Sequence, residues 1–215
     1  MDLMAIRRRM LMASKKRLPK EYQEVEWIAN SGTQYLVTRS FDSITRVDGD
    51  VEFTVAQRGD QMIFGAYQTN ATWYAQYYDG RSWYGSISYS RYRNVGNCGL
   101  PYYNNVVGVR FKFILTDESL RVITSTSDVS TPPNETVGTP INPIYIFARN
   151  KNNAPEYKNN GLKVYSFKMF DGNNLAQELV PCYRKSDGEI GMYDTVSKTF
   201  YTNAGTGTFL KGADV

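Results

Sequence analysis

The chain has 215 residues, 41% hydrophobic and 21% charged, which suits one large domain with a real core and excludes wholesale disorder. It contains no histidine, which excludes Ser-His-Asp catalysis, histidine-based zinc sites and an imidazole switch near neutral pH. The net charge of +4 belongs to the tail: residues 1–20 carry seven basic residues against Asp2, so the remainder is slightly acidic and makes no general case for nucleic acid.

Residues 1–17 read as a basic amphipathic arm. Over residues 2–17, Leu3, Ile6, Met10 and Ala13 share one face of a helix, while Arg8, Arg9, Lys15 and Lys16 fall mostly elsewhere. Pro19 ends it. As a frayed terminus the arm does nothing; as a docking arm, Leu3, Ile6, Arg7, Arg8, Arg9 and Met10 would anchor the chain in a larger assembly. Met10–Ala13 is too short for the apolar core of a signal peptide, and no stretch reaches the length of a membrane span. The expected site of synthesis is therefore a cytoplasm.

From Leu18 the pattern is that of short strands. Val25–Ile28 and Thr33–Val37 flank a turn at Asn30-Ser31-Gly32. Val51–Gln57 alternates apolar and polar, and Met62–Ala66 suits a sandwich interior. Between Tyr67 and Tyr103 the composition shifts: nine of the 17 tyrosines and two of the three tryptophans fall there, mixed with arginine and asparagine. Alternation over Thr72–Tyr78 and Ser82–Ser88 places only some of those rings in a core. A polar and aromatic set of this kind can stack on sugar faces and bond hydroxyls, so Trp73, Tyr74, Tyr77, Arg81, Trp83 and Tyr84 are the candidate glycan-binding residues. The competing reading is that half of them are core.

Val106–Leu115 and Leu120–Ser125 form a hairpin, Ser127–Pro143 reads as a long surface loop, and Ile144–Ala148 resumes the sandwich. Asn150–Asn160, with five asparagines, reads as an exposed polar loop. Leu162–Phe170 alternates, with Leu162, Val164, Ser166, Lys168 and Phe170 on one side and Lys163, Tyr165, Phe167 and Met169 on the other. Asp171–Asn174 turns into Leu175–Val180, and Leu179–Phe209 reads as three short strands stitched by tight turns.

Little of this carries overt chemistry. Asp48, Asp50 and Glu52 have the i, i+2, i+4 spacing that sets carboxylates along one face of a strand, as glycosidases need, although Asp48-Gly49 reads as a turn. Asp79-Gly80, Asp171–Asn174 and Asp187-Gly188 are acid-bearing turns without the oxygen density of a calcium site. Neither a phosphate loop nor a dinucleotide fingerprint is present. Cys98 and Cys182 are expected to be reduced, no metal or cofactor is expected, and catalysis is not.

Three blocks carry a resemblance: Leu18–Ile28 with Ser31–Leu36, Ile144–Asn150 with Gly161–Phe170, and Pro181–Phe209. In that order they resemble a concanavalin-A-like, laminin-G-like jelly-roll module of phage, prophage and gut-bacterial surface proteins. The resemblance implies an all-β sandwich of two antiparallel sheets over residues 18–212. Because jelly rolls host lectins, hydrolases and structural parts alike, it implies no single activity. The leading expectation is a non-enzymatic virion module. Its arm would bind other virion proteins, and its sandwich would face the host, with homo-oligomers and a host glycan as partners. A bacterial surface lectin or adhesin and a glycoside hydrolase are the alternatives.

Overall fold

The computed structural model describes residues 17–41, 43–55, 59–68, 71–79, 86–90, 95–98, 107–132, 143–156 and 159–215. Between 59 and 98 it describes side chains only at 61–67, 74 and 75. Arm residues Leu3, Ile6, Arg7, Arg8, Arg9 and Met10 lie outside the described residues.

The described chain is all β. In order, the strands are β1 (Tyr22–Glu24), β2 (Ile28–Ser31), β3 (Leu36–Val37), β4 (Arg46–Phe53), β5 (Gly59–Gln68) and β6 (Ala71–Asp79). There follow β7 (Ser86–Ser90), β8 (Val95–Cys98), β9 (Arg110–Thr116), β10 (Leu120–Ile123), β11 (Asp128–Thr131), β12 (Tyr145–Ile146) and β13 (Arg149–Lys151). The last are β14 (Ala154–Glu156), β15 (Asn160–Asp171), β16 (Asn174–Arg184), β17 (Ile190–Asp194), β18 (Phe200–Thr202) and β19 (Leu210–Lys211). One sheet runs β11-β10-β9-β4-β15-β16-β17-β18, with β1 on β16, β2 on β15 and β19 on β2. The other runs β14-β13-β5-β6-β7-β8, with β12 joining β3 to β5. The two pack as a jelly-roll-like sandwich.

Pairing is antiparallel except where β13 runs parallel to β5. The chain reverses for this at buried Phe147, whose φ of 70° is rare for a bulky side chain. The hairpin β13–β14 occupies the stretch expected to be a polar loop. Asn150 and Asn159 are fully buried there, because each amide bonds a backbone carbonyl, Asn150 Nδ2 to Pro143 and Asn159 Nδ2 to Met62. β11 likewise falls in the expected surface loop.

Alternation supplies the core. On β4, Val47, Gly49, Val51 and Phe53 face inward while Arg46, Asp48, Asp50 and Glu52 face outward. Phe64 from the second sheet stacks on Phe113 of the first (5.7 Å) and meets Phe167 edge-on (5.4 Å). Gly49 lies beneath Phe113; a Cβ there would sit 2.2 Å from Cε1 of that ring. The Asp48-Gly49 pair is therefore mid-strand, not a turn, and its glycine makes room for an aromatic ring.

β15 departs from simple alternation. Its register on β4 shifts between Val164 and Ser166, so two residues face one. Leu162 and Val164 point inward before the bulge, and Phe167 and Met169 after it. The bulge leaves Lys163, Tyr165, Ser166 and Lys168 together on the outer side, beside the β4 acids.

Residues 17–22 fold over the outer side of the same sheet. Leu18 joins Val180, Cys182 and Tyr193 in a small second cluster, with the Tyr22 ring against Tyr193 (4.8 Å) and Phe200 (4.9 Å). Cys182 is a free, buried thiol, pushed up to about 12 by that burial, and is therefore a packing residue at neutral pH.

Candidate functional site

The outer side chains of β4 form a carboxylate ladder, as the i, i+2, i+4 spacing requires. Its electrostatics differ from those of a hydrolytic pair. Asp48 is gripped by Arg46 on its own strand (2.6 Å to each oxygen). Asp50 is 6% exposed and takes two bonds from Arg110 of β9, Nε to Oδ1 at 2.8 Å and Nη2 to Oδ2 at 2.9 Å. Glu52 is flanked in register by Arg110 on β9 and Lys163 on β15. It accepts from Lys163 Nζ (2.9 Å) and from the Tyr165 hydroxyl (2.7 Å).

These contacts bear on the titration of Glu52 and Tyr165. Burial pushes the Glu52 carboxyl up, but the bonds from Tyr165 and Lys163 and the nearby Arg110 charge hold it below the ordinary carboxylate value. Tyr165 is raised by burial first and then by donating to Glu52, so it stays a phenol. Its ring also carries the Arg110 guanidinium at 3.7 Å from the centroid, a cation–π contact of about 0.5–2 kcal/mol. The ladder is an array in which both oxygens of Asp48 and of Asp50 are held by arginines and Glu52 is held by Lys163 and Tyr165.

Beside this array opens a cleft of about 440 Å³, lined by Arg17, Glu24, Val25, Glu26, Trp27, Arg110, Tyr165 and Val215. Arg110 and Tyr165 come from the sheet. The segment between β1 and β2 supplies Val25, Glu26 and Trp27, and Arg17 pairs with Glu24 at one side. The Trp27 ring is partly exposed and takes Lys163 Nζ at 4.9 Å from its centroid, which ties the cleft to the ladder. The backbone is fastened by Glu26 N donating to the Ala213 carbonyl and Gly212 N donating to that of Trp27 (2.9 Å each). Rings beside fixed donors and acceptors can stack on a sugar face and bond its hydroxyls.

The sequence located the ladder but not the cleft. Of the candidate glycan-binding residues, Tyr74 is buried, 5.9 Å beneath the Arg149 guanidinium. The side chains of Trp73 and Tyr77, and Arg81, Trp83 and Tyr84 entirely, lie outside the described residues. Trp27, Arg110 and Tyr165, which the fold brings to one cleft, are far apart in sequence. The available signal was the run of outward positions Lys163 and Tyr165 on an alternating strand; nothing local tied Trp27 to them, because that contact depends on β2 pairing with β15. Among the described residues no group of three or more His, Cys, Asp or Glu could hold a metal ion, and no helix is long and apolar enough to cross a membrane.

Among the described residues three partly buried glutamates give the sign of the pH response, and the exposed Asp128, Asp187 and Asp214, lowered by their own cation partners, act in the same direction. Glu52, Glu156 and Glu178 are each pushed up by burial and pulled further down by hydrogen bonds, Glu156 from Arg149 and Lys151, Glu178 from Thr195 and Lys168. A carboxyl whose folded pKa is depressed stabilises the fold above its unfolded value and loses that contribution as pH falls through the folded one. The thermal midpoint is expected to stay flat between about pH 5 and 8, where a histidine would titrate, and to drop below the ordinary glutamate value of 4.5. Differential scanning calorimetry across that range checks it; a midpoint that rises on acidification contradicts these pairings.

No family model matches the chain, and no curated protein does. Among solved structures the chain is similar to a crystal structure of scytalido-glutamic peptidase with a peptide-based transition state analog. The two are 14% identical over 89% of this chain and 100% of that one, with a TM-score of 0.42. So distant a likeness transfers no residue roles. The expectation of a virion module does not stand: the comparisons return a peptidase among solved structures and nothing that supports a phage structural role.

Proposed function

We propose that the chain is a non-catalytic carbohydrate-binding β-sandwich whose ligand lies in the cleft beside the β4 ladder. The observation that carries this reading is the arrangement of Trp27, Tyr165 and Arg110: two rings and a guanidinium, the last fixed on one side by Asp50 and beneath by Tyr165. Pre-set donors beside aromatic rings lose little freedom on meeting a polyhydroxylated ligand. The non-catalytic part rests on the ladder. Glycoside hydrolysis asks for one carboxylic acid held protonated near neutral pH, whereas Glu52 is depressed and both oxygens of Asp50 are engaged.

The test is a glycan array probed with the full chain beside Trp27→Ala and Arg110→Ala, each checked for folding by circular dichroism. The expected result is a defined set of bound glycans, weakened about tenfold or more by either substitution. A folded wild-type chain that binds nothing, or variants that bind as the wild type does, would overturn the reading. Cleavage of a bound glycan would overturn its non-catalytic part.

A further inference from the structure

Among the described residues, the segment 17–21 is held to the outer side of the first sheet chiefly by one side chain. Val180 and Cys182 of β16 and Tyr193 of β17 form a cluster apart from the main core; Leu18 completes it, and the Tyr22 ring packs against Tyr193 (4.8 Å). From Tyr22 on, the chain is laced into the sheet, with Tyr22–Glu24 paired to Cys182–Arg184. Before Tyr22 it is not. Among the described residues the backbone of 17–21 makes a single backbone hydrogen bond beyond its own turn, Lys185 N donating to the Glu21 carbonyl (2.9 Å). Lys185 Nζ adds a bond to the Lys20 carbonyl (2.9 Å), and the Pro19 carbonyl accepts from Tyr22 N within the turn (3.1 Å). Leu18 is 8% exposed, whereas Arg17, Lys20 and Glu21 are exposed, so Leu18 is the seat of the segment. Its neighbour Arg17 is thereby held at the cleft, where it pairs with Glu24 and both residues line the wall.

We propose that residues 17–21 form a strap that lifts about Tyr22 while the two sheets stay paired, and that this one movement withdraws the Arg17 wall of the cleft and uncovers Val180, Cys182 and Tyr193. The two effects are coupled because Arg17 and Leu18 are adjacent: Leu18 cannot leave its seat without moving Arg17. Opening here breaks few backbone bonds and unseats one buried side chain, which is the make-up of a local rather than a global transition. By linkage, whatever binds the cleft through Arg17 holds the strap shut, and whatever holds the strap up removes that wall. The device does not depend on what the cleft binds.

Cys182 is the reporter, because its thiol is fully buried in the cluster that the strap closes. The full chain and its Leu18→Ala variant, each checked for folding by circular dichroism, are mixed with an excess of an aryl disulfide over a series of low urea concentrations. Each exposed Cys182 thiolate takes one aryl sulfur as a mixed disulfide and releases the other as an aryl thiolate. Peptide mass mapping reads Cys182 separately from Cys98. In the wild type, labelling is expected to be slow and nearly independent of urea below the unfolding transition, because lifting the strap exposes little surface. Leu18→Ala is expected to speed it about tenfold or more while the global urea midpoint moves far less in proportion. Three results would overturn the proposal. One is a wild-type rate that climbs with the full unfolding slope from the first addition of urea, which makes global unfolding the only route to Cys182. Another is a Leu18→Ala rate equal to that of the wild type. The last is wild-type labelling as fast as in the unfolded chain, which means that the strap covers nothing.

Discussion

Phe64→Ala is expected to cost about 3–5 kcal/mol of folding stability, the range for removing a buried phenylalanine. Phe64 is fully buried and is the ring the second sheet contributes between Phe113 and Phe167 of the first. Deleting it removes both aromatic contacts and leaves a cavity walled by strands held in their own ladders, which cannot collapse to fill it. Against a typical total stability of about 5–15 kcal/mol, the variant should unfold at markedly lower urea or temperature. Chemical denaturation with the slope compared to wild type measures this. A loss under about 1 kcal/mol would mean that the sheets are not clamped at this ring.

Gly49→Ala acts on the same place from the opposite direction and is expected to cost about 1–3 kcal/mol or more through overpacking. The added methyl would sit 2.2 Å from Cε1 and 2.4 Å from Cζ of Phe113. The ring cannot swing away, because Phe64 and Phe167 hold it on the core side. The strand must shift instead, and Asp50 on the next residue would move relative to Arg110. Gly49→Ala should therefore lower stability and, on the proposed carbohydrate-binding reading, weaken glycan binding together. The double variant Gly49→Ala with Phe113→Leu tests the cause, since a smaller side chain opposite the methyl should restore part of both losses. A single variant as stable as wild type, or a double variant whose losses simply add, would contradict the wedge.

How much of this was legible depended on how local the signal was. The alternation of β4 and the shared face of Asp48, Asp50 and Glu52 follow from period-two geometry and could be read directly. Asp48-Gly49 misled, because that dipeptide is a turn signal in isolation; what puts it mid-strand is Phe113, more than 60 residues on. The faces of β15 were legible up to Val164 and inverted after it, because a bulge shifts the phase without leaving a mark in residue type. The asparagines of 150–160 read as solvent-facing, and two of them instead bond buried backbone carbonyls. The cleft was the least legible part. Trp27 comes to share a cleft with Arg110 and Tyr165 through the pairing of β2 with β15 and of β4 with β9, a register that composition does not encode.

The most direct test of the proposed cleft is a heteronuclear NMR titration of the full chain with an oligosaccharide selected on the glycan array. The indole N–H of Trp27 would be assigned through Trp27→Phe, and the Nε–H of Arg110 through Arg110→Lys. The account predicts that both resonances shift progressively and saturate with the ligand. Saturating ligand that leaves both unmoved while shifting signals elsewhere would contradict it and place the binding surface outside the cleft.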